Sequence, residues 1–371
     1  MALNLIFDGN YLFYKTLFIF GQYGVKGEKV LSSEKDQSMF IRKIATDMAH
    51  AIRTFGNPTR VVFTIDSRSW RKDVEIEEGG YKSNREKDES VIDWDMFYKL
   101  MNEFGEIITE KGYIVSREPR AEGDDLMYLW ADEFFNNGED TVIITGDKDI
   151  YQVVKCNNVN FIAVYNPNSK TRKIVGPTGF TGWIKSEEYD LFDASTFMNR
   201  SKDLIQEALN SVVIEEVNPH YHIFEKILCG DGGDAVPPVW TWELKGKTYR
   251  VTPAKAARIY EIMEYTKPIG DIFDLPNRAV EVANGINAAF KQNPPIEALK
   301  SRIVRNITLM YLDKKVIPQD IQDAFETSFN NVTAKNEMNA QVYDMAHILE
   351  GTRFLGTTQS FEADIFSKYK F

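Results

Sequence analysis

Three short apolar runs, at 3–7, 61–65 and 142–145, each lead directly into aspartate: Asp8, Asp66, and Asp147 with Asp149. The runs are mostly β-branched and too short for helices, so they read as buried strands. Between them, 37–55 places Phe40, Ile44, Met48, Ala51, Ile52 and Phe55 on one helical face, and 93–111 and 122–137 are patterned alike. Strand–helix–strand units of this kind build a mainly parallel sheet flanked by helices. All strands of such a sheet end on one rim, where ligands sit. The spacing therefore predicts that these aspartates converge.

Composition sets the outer limits. A chain of 371 residues suggests two or three compact units, and 43% apolar with 13% aromatic residues excludes disorder as the main state. No run approaches the ~20 apolar residues of a membrane span. The opening MALNLIFDGN has no basic segment and carries Asp8 within its apolar stretch, which speaks against a cleaved leader. Cys156 and Cys229 are too few for a disulfide framework, so a cytoplasmic setting is expected. The net charge of −11 opposes nucleic-acid binding unless positive charge is gathered locally.

Two local gatherings answer that objection. The polar stretch 67–90 carries Arg68, Arg71, Lys72, Lys82, Arg85 and Lys87, directly after Asp66, and is too long for an ordinary connection. A second stretch carries Lys245, Lys247, Arg250, Lys255 and Arg258, interleaved with Trp240, Trp242 and Tyr249. Isolated charge runs are usually solvated surface, but the first lies at a strand's carboxyl end, where loops carry function.

After about residue 155 the pattern changes. Residues 159–176 read as a hairpin around Asn166-Pro167-Asn168, and 196–230, 253–265, 277–293, 296–312, 318–327 and 336–349 as helices punctuated by prolines. The expected division is an α/β domain at 1–176, with a loop over the site at 67–92, and a mainly helical part at 177–371.

Two more acidic groups complete the set. Glu122, Asp124 and Asp125 in AEGDD open a helix, and Asp231 and Asp234 in GDGGD follow one. A single aspartate is usually a turn or cap residue. Six or more on one rim could not all ionise without compensation. Hard divalent cations with oxygen ligands, Mg²⁺ or Mn²⁺, resolve this, and two of them about 3.5–4 Å apart suit phosphodiester hydrolysis.

The order of Asp8 in IFDGN, Asp66 in TIDS, Tyr81-Lys82-Ser83-Asn84-Arg85, AEGDD, TGDKDIYQ and GDGGDAVP resembles the flap endonuclease/5′-nuclease superfamily, and within it the RNase H (5′-exonuclease) group of T-even-type bacteriophages. The matches span 1–260. The resemblance implies a PIN-like α/β domain with an arch over the active site, and a helix–three-turn–helix-like DNA-binding motif at 220–265. It implies two metal ions held by Asp8, Asp66, Glu122, Asp124, Asp125, Asp147, Asp149, Asp231 and Asp234. Asp8, Asp66, Glu122 and Asp124 centre on one ion, Asp125, Asp147, Asp149 and the Asp231/Asp234 pair on the other.

Tyr81, Lys82 and Arg85 match the family's segment at the arch base, where a lysine and an arginine meet the scissile phosphate. Arg68, Arg71, Lys72, Lys245, Lys247, Arg250, Lys255 and Arg258 are the corresponding DNA-binding candidates. The implied activity is 5′→3′ exonuclease, flap endonuclease and RNase H action on flapped, nicked or 5′-ended duplex DNA and RNA–DNA hybrid in phage replication or repair. The implied protein is a monomer in the bacterial host's cytoplasm, with a single-strand-binding protein or sliding clamp as candidate partners.

Three departures stand out. The family's glycine-rich GxGxKTA-like motif after GDGGD is replaced by WTWELKGKTYRVTPAKAARI, with Lys255 in place of the motif's lysine. That bears on a K⁺ site and on the duplex grip. An insertion at 180–215 has no assigned function, and 260–371 matches only loosely. His220 and His222 read as partly buried helix-start residues rather than zinc ligands. The aromatic terminus FEADIFSKYKF is a docking segment or packs on its own domain.

The alternatives are a PIN-type single-strand ribonuclease, which has no use for GDGGD, and a non-catalytic branched-DNA binder, which would not need all nine acids. A DxD phosphotransferase is disfavoured because Asp8 has no second aspartate two residues on.

Overall fold

The computed structural model describes residues 2–22, 29–56, 58–76, 79–85, 90–167, 172–184, 212–333 and 344–355. Its centre is an eight-stranded sheet: β1 (Leu3–Asp8), β2 (Arg60–Thr64), β3 (Ile114–Ser116), β4 (Asp140–Ile144), β5 (Lys155–Cys156), β6 (Phe161–Asn166), β7 (Arg172–Pro177) and β8 (Val212–Val217). The order is β3-β2-β1-β4-β6-β7-β8, with β5 pairing on β6. The first five are mutually parallel, β7 runs antiparallel to β6, and β8 is parallel to β7. Asp8 is level with Thr64, and Phe7 with Ile144, so the chain leaves three neighbouring strands at one height on one rim.

Both faces of the sheet's centre are covered, which is why β1, β2 and β4 are largely apolar. Leu5, Phe7, Val61, Phe63, Val142 and Ile144 point to one core; Ile6, Val62 and Ile143 point to the other. On the first face lie α1 (Gly9–Gln22), α2 (Glu34–Thr54) and α3 (Trp94–Glu110), joined through edge-to-face rings of Phe13, Phe40, Phe97 and Phe104. On the second lie α4 (Gly123–Asn136) and the helix Gln319–Thr333, where Trp130 meets Phe325. A third core is built by the helices Pro219–Cys229, Pro253–Thr266, Ala279–Phe290 and Ile296–Met310. Among the described residues no helix is long and apolar enough to cross a membrane.

Several expectations need correction. Within 196–230, residues Val212–Val217 are not helical but form β8, and a helix begins only at Pro219, capped by Asn218. The sheet therefore continues past residue 176, while 185–211, most of the expected insertion, lie outside the described residues. The β6–β7 pair forms as read, although 168–171 are also outside. Of the helix expected at 336–349, Met345–Ile348 is described. The helix α1 and strand β3 were not foreseen. Behind GDGGD stands a separate hairpin, Thr241–Leu244 with Lys247–Arg250, turned by Lys245 and Gly246 at positive φ.

The C-terminal part is not a detached unit. Ile348, Leu349 and Phe354 are buried in the first core, Arg42 donates Nε to the Phe354 carbonyl, and Arg353 forks onto Glu103 at 2.9 and 2.8 Å. This segment clasps α2 and α3 from outside. Phe354→Ala should therefore cost about 3 kcal/mol, read as a lower urea midpoint at unchanged slope. An unaltered midpoint would show that the clasp is not part of the cooperative fold.

Candidate active site

The rim is assembled from strand ends and one helix start. Asp8 closes β1 with Oδ1 accepting the Tyr11 N–H at 2.8 Å and Oδ2 accepting the Thr145 hydroxyl at 2.7 Å. Gly9 follows because a Cβ there would lie 2.3 Å from the Phe63 ring, so only glycine lets α1 start so close to β2. Asn10 turns back to Asp66, donating Nδ2 to Oδ2 at 2.9 Å and accepting the Asp66 N–H at 2.8 Å. Gly123, the first residue of α4, donates its N–H to Asp66 Oδ1 at 2.6 Å, and a Cβ on it would lie 2.9 Å from that oxygen. The helix N-terminus is thereby turned toward the carboxylate.

The nine acidic residues fall into distinct environments. Asp8, Asp66, Asp124 and Asp147 form the first. Burial, then the charges of Asp66 and Asp147, raise Asp8 to about 7, against the pull of its two hydrogen bonds. Burial also raises Asp66, with Glu122 and Asp125 adding to it. Asp124 is pushed well up by burial, Asp147 and Asp8, with Lys82 opposing. Asp8 feels Asp66 and Asp147, Asp124 feels Asp147 and Asp8, and Lys82 acts against the rise of both Asp66 and Asp124.

Asp149 and Asp231 form the second environment, sharing Lys226, whose Nζ donates to Asp149 Oδ1 and, at 2.7 Å, to Asp231 Oδ2. Burial and Asp147 still lift Asp149 to about 6. Asp231 lies below the usual range: burial pushes it up, but Lys226 and the N–H groups of Gly233 and Asp234 outweigh that.

Glu122 and Asp234 make up the third, facing the Tyr81–Arg85 segment. Lys82 Nζ donates to Glu122 Oε1 and lies 3.9 Å from Asp234 Oδ2, and Arg85 pairs with Asp234. The Tyr81 hydroxyl is 3.1 Å from Glu122 Oε2 and 3.0 Å from Asp234 Oδ2. The Lys82 N–H donates to the Asp234 carbonyl at 2.8 Å, and Asn84 Nδ2 to that of Gly232 at 2.7 Å. Lys82 itself adopts φ 58°, a left-handed conformation costly for lysine and typical of residues held for function. Burial would raise Glu122, but Lys82 and Arg71 overcome it and hold the carboxyl low.

Asp125 stands apart. It is fully buried and faces inward to Trp70 and Arg71. That placement also corrects Arg71, expected on DNA: its side chain is 2% exposed and paired to Asp125 and Glu122.

The remaining basic candidates lie as follows. Arg68 and Lys72 are exposed, as are Lys245, Lys247, Arg250 and Arg258, while Lys255 is half-buried with its ammonium 5.3 Å from the Phe290 ring centre. Trp242 and Tyr249 stack across the hairpin at 5.8 Å. His220 and His222 both lie on the helix Pro219–Cys229, their Nε2 atoms buried without a hydrogen-bond partner, and His222 bonds the Lys148 backbone. Lys226 was missed by sequence reasoning. The signal was available, since it lies four residues after His222 on a helix that runs into Asp231.

Among the described residues no three carboxylate, histidine or cysteine side chains are already gathered into a ligand set for an ion. Asp8, Asp66 and Asp124 nonetheless fit one: they are oxygen donors, buried, and each raised by burial and by neighbouring carboxylates.

Residues 3–182 match the family described as 5′-3′ exonuclease, N-terminal resolvase-like domain. No curated protein is similar in sequence. Solved structures are similar in fold. A bacteriophage T5 protein co-crystallised with metal ions superposes with TM-score 0.53 at 13% identity, covering 90% of this chain and 99% of its own. The bacteriophage T5 flap endonuclease in a pseudo-enzyme–product complex with DNA and metal ions gives 0.52 at 13%, covering 90% and 98%. A T5 5′-exonuclease with zinc ions bound gives 0.52 at 14%, covering 90% and 99%.

The raised Asp8 carries a pH signature. The folded chain holds its proton up to about pH 7, the unfolded chain only to about 3.8. Its penalty is therefore absent below the unfolded value and complete above the folded one, on the order of 4 kcal/mol. In chelator, the Tm should fall as pH rises from 5 to 8. Asp8→Asn should be the more stable protein at pH 8 and lose that advantage toward pH 4. A pH-independent difference would refute the assignment.

Proposed function

We propose that this chain, whose residues 3–182 match the 5′-3′ exonuclease N-terminal resolvase-like domain and whose fold is similar to that of bacteriophage T5 5′-nuclease structures, is a divalent-metal-dependent, structure-specific 5′-nuclease of the flap endonuclease superfamily. Its substrates are flapped, nicked or 5′-ended duplex DNA and RNA–DNA hybrid, and its setting is primer removal in phage replication or repair. One observation carries this reading: Asp8 lies within electrostatic reach of Asp66 and Asp147, and Asp124 of Asp147 and Asp8, although these acids are up to 139 residues apart in the chain.

Asp8, Asp66, Asp124 and Asp147 would hold one ion, with Asp149 and Asp231 contributing to a second; all-oxygen donors favour Mg²⁺ or Mn²⁺. Bound there, such ions supply charge neutralisation at the phosphodiester and activation of water. The protein's own share is positioning. Lys82 and Arg85, now held by Glu122 and Asp234, exchange those carboxylates for the oxygens of the scissile phosphate, where added negative charge is stabilised in the transition state. Arg85 can meet two oxygens at once, Lys82 only as a point charge. Lys226, between Asp149 and Asp231, limits their repulsion until an ion arrives. The products carry a 5′-phosphate and a 3′-hydroxyl. Lys245, Lys247, Arg250 and Arg258 grip the duplex through its phosphates. No K⁺ is proposed, since the family's glycine-rich motif after GDGGD is replaced in this sequence and a hairpin stands there.

End-labelled 5′-flap DNA and a nicked RNA–DNA hybrid should be cut with Mg²⁺ and left intact with chelator; cutting in chelator would exclude the proposal. Asp147→Asn should abolish cleavage while flap DNA is still bound, and normal turnover would remove Asp147 from the ion site. Lys82→Ala should lower kcat by about two orders of magnitude with KM little changed. A pure rise in KM would place Lys82 in substrate binding alone.

A further inference from the structure

A buried cation at the head of the long connection after β2 has no part in the reading above. Ser69 caps a short 3-10 turn, Trp70–Asp73, that turns Trp70 and Arg71 inward beneath α4. Arg71 Nη2 donates to Asp125 Oδ1 at 2.7 Å, Nη1 to Asp125 Oδ2 and to Glu122 Oε2 at 3.0 Å each, and Nε to the Leu309 carbonyl at 2.9 Å. The guanidinium also lies 4.6 Å from the Trp70 ring centre. Asp125 receives two further donors, Trp70 Nε1 at 3.0 Å and the Glu122 N–H at 3.1 Å. Three of these donors lie on Oδ2 and one on Oδ1, and the side chain is fully buried, so the carboxylate is turned to Arg71 and Trp70.

We propose that Arg71 is a positioning residue of the site, acting through Glu122 to fix where the Lys82 ammonium stands, with Asp125 as its buried counter-ion rather than a ligand for metal. The geometry is an alternating chain of charge: Asp125, Arg71, Glu122, Lys82, Asp234. Glu122 presents Oε2 to Arg71 and Oε1 to Lys82, so the fork that sets the plane of the carboxylate also sets the lysine beyond it. A lysine at 71 would keep the charge but has three donors for the four bonds that Arg71 makes, and no planar fork to set the two carboxylates. The Leu309 contact extends the same strut to the helix Ile296–Met310. The role assigned to Lys82 rests on the nuclease reading; the counter-ion role of Asp125 does not.

The experiment has one arm for each part. On flap DNA with Mg²⁺, Arg71→Lys should lower kcat by about tenfold or more with KM unchanged. In a Lys82→Ala background the same change should cost little further, whereas a full additional loss would overturn the route through Lys82. By calorimetric titration with Mn²⁺ and no DNA, Asp125→Asn should keep wild-type affinity within about twofold, while Asp124→Asn loses about tenfold. Equal losses would overturn the counter-ion assignment.

In chelator, urea midpoints of Arg71→Gln, Asp125→Asn and the double variant should be strongly non-additive, the double being scarcely worse than the poorer single. Additivity would overturn the pairing. A wild-type chain that neither binds Mn²⁺ nor cuts DNA would sink the nuclease reading and Arg71's route through Lys82 with it, and the urea cycle would then decide the counter-ion role.

Discussion

Like charge gathered at low dielectric is the constraint around which this molecule is arranged. A parallel sheet delivers strand ends to one rim whatever the sequence between them, and here the ends carry carboxylates. Each must then be hydrogen-bonded, paired with a cation, or left raised and holding its proton to higher pH. All three outcomes are present. Asp125 accepts four hydrogen bonds, Asp231 is held low beside Lys226, and Asp8 and Asp124 are pushed up. The chain places its basic residues accordingly: Arg71 under α4, Lys82 and Arg85 at the mouth, Lys226 on the helix leading into GDGGD.

The difference between Asp124 and Asp125 shows how finely that partition is made. Adjacent residues on a helix point about 100° apart. At the start of α4 one of them therefore faces the rim while the other turns beneath the helix. Asp125 can accept there because its carboxylate also closes a capping box with the Glu122 N–H. A motif that reads as three equivalent acids is thus, in three dimensions, one rim residue, one bridge between cations and one buried anchor.

Much of this was legible in the sequence, and the illegible parts share a cause. The strands β1, β2 and β4 announced themselves because a sheet buried on both faces demands unbroken apolar runs. The convergence of Asp8, Asp66 and Asp147 followed from parallel topology alone. β8 was misread because Glu215 and Glu216 interrupt its apolar run and Pro219 starts a helix two residues after it. Arg71 was misread for a deeper reason. In a stretch that is otherwise charged, an arginine reads as solvated, and what buries it is Glu122 and Asp125, 51 and 54 residues away, and a carbonyl 238 residues away. No local pattern encodes such a partner set.

The third helical core is tied to this chemistry rather than appended to it. Arg71 reaches Leu309, Gln152 donates Nε2 to the Met310 carbonyl at 3.0 Å, and Lys226 reaches across to Asp149. All three contacts join the end or the neighbour of the helix Ile296–Met310 to loops that leave the sheet's rim. The same body carries the exposed basic hairpin Thr241–Leu244/Lys247–Arg250. In the nuclease reading, duplex held on that body is registered against the rim through these few polar struts. Apolar contacts could hold the two parts together but would tolerate sliding, because burial is non-directional. Charged hydrogen bonds at fixed lengths do not, and a reaction that selects one phosphate among many equivalent ones depends on that fixed register.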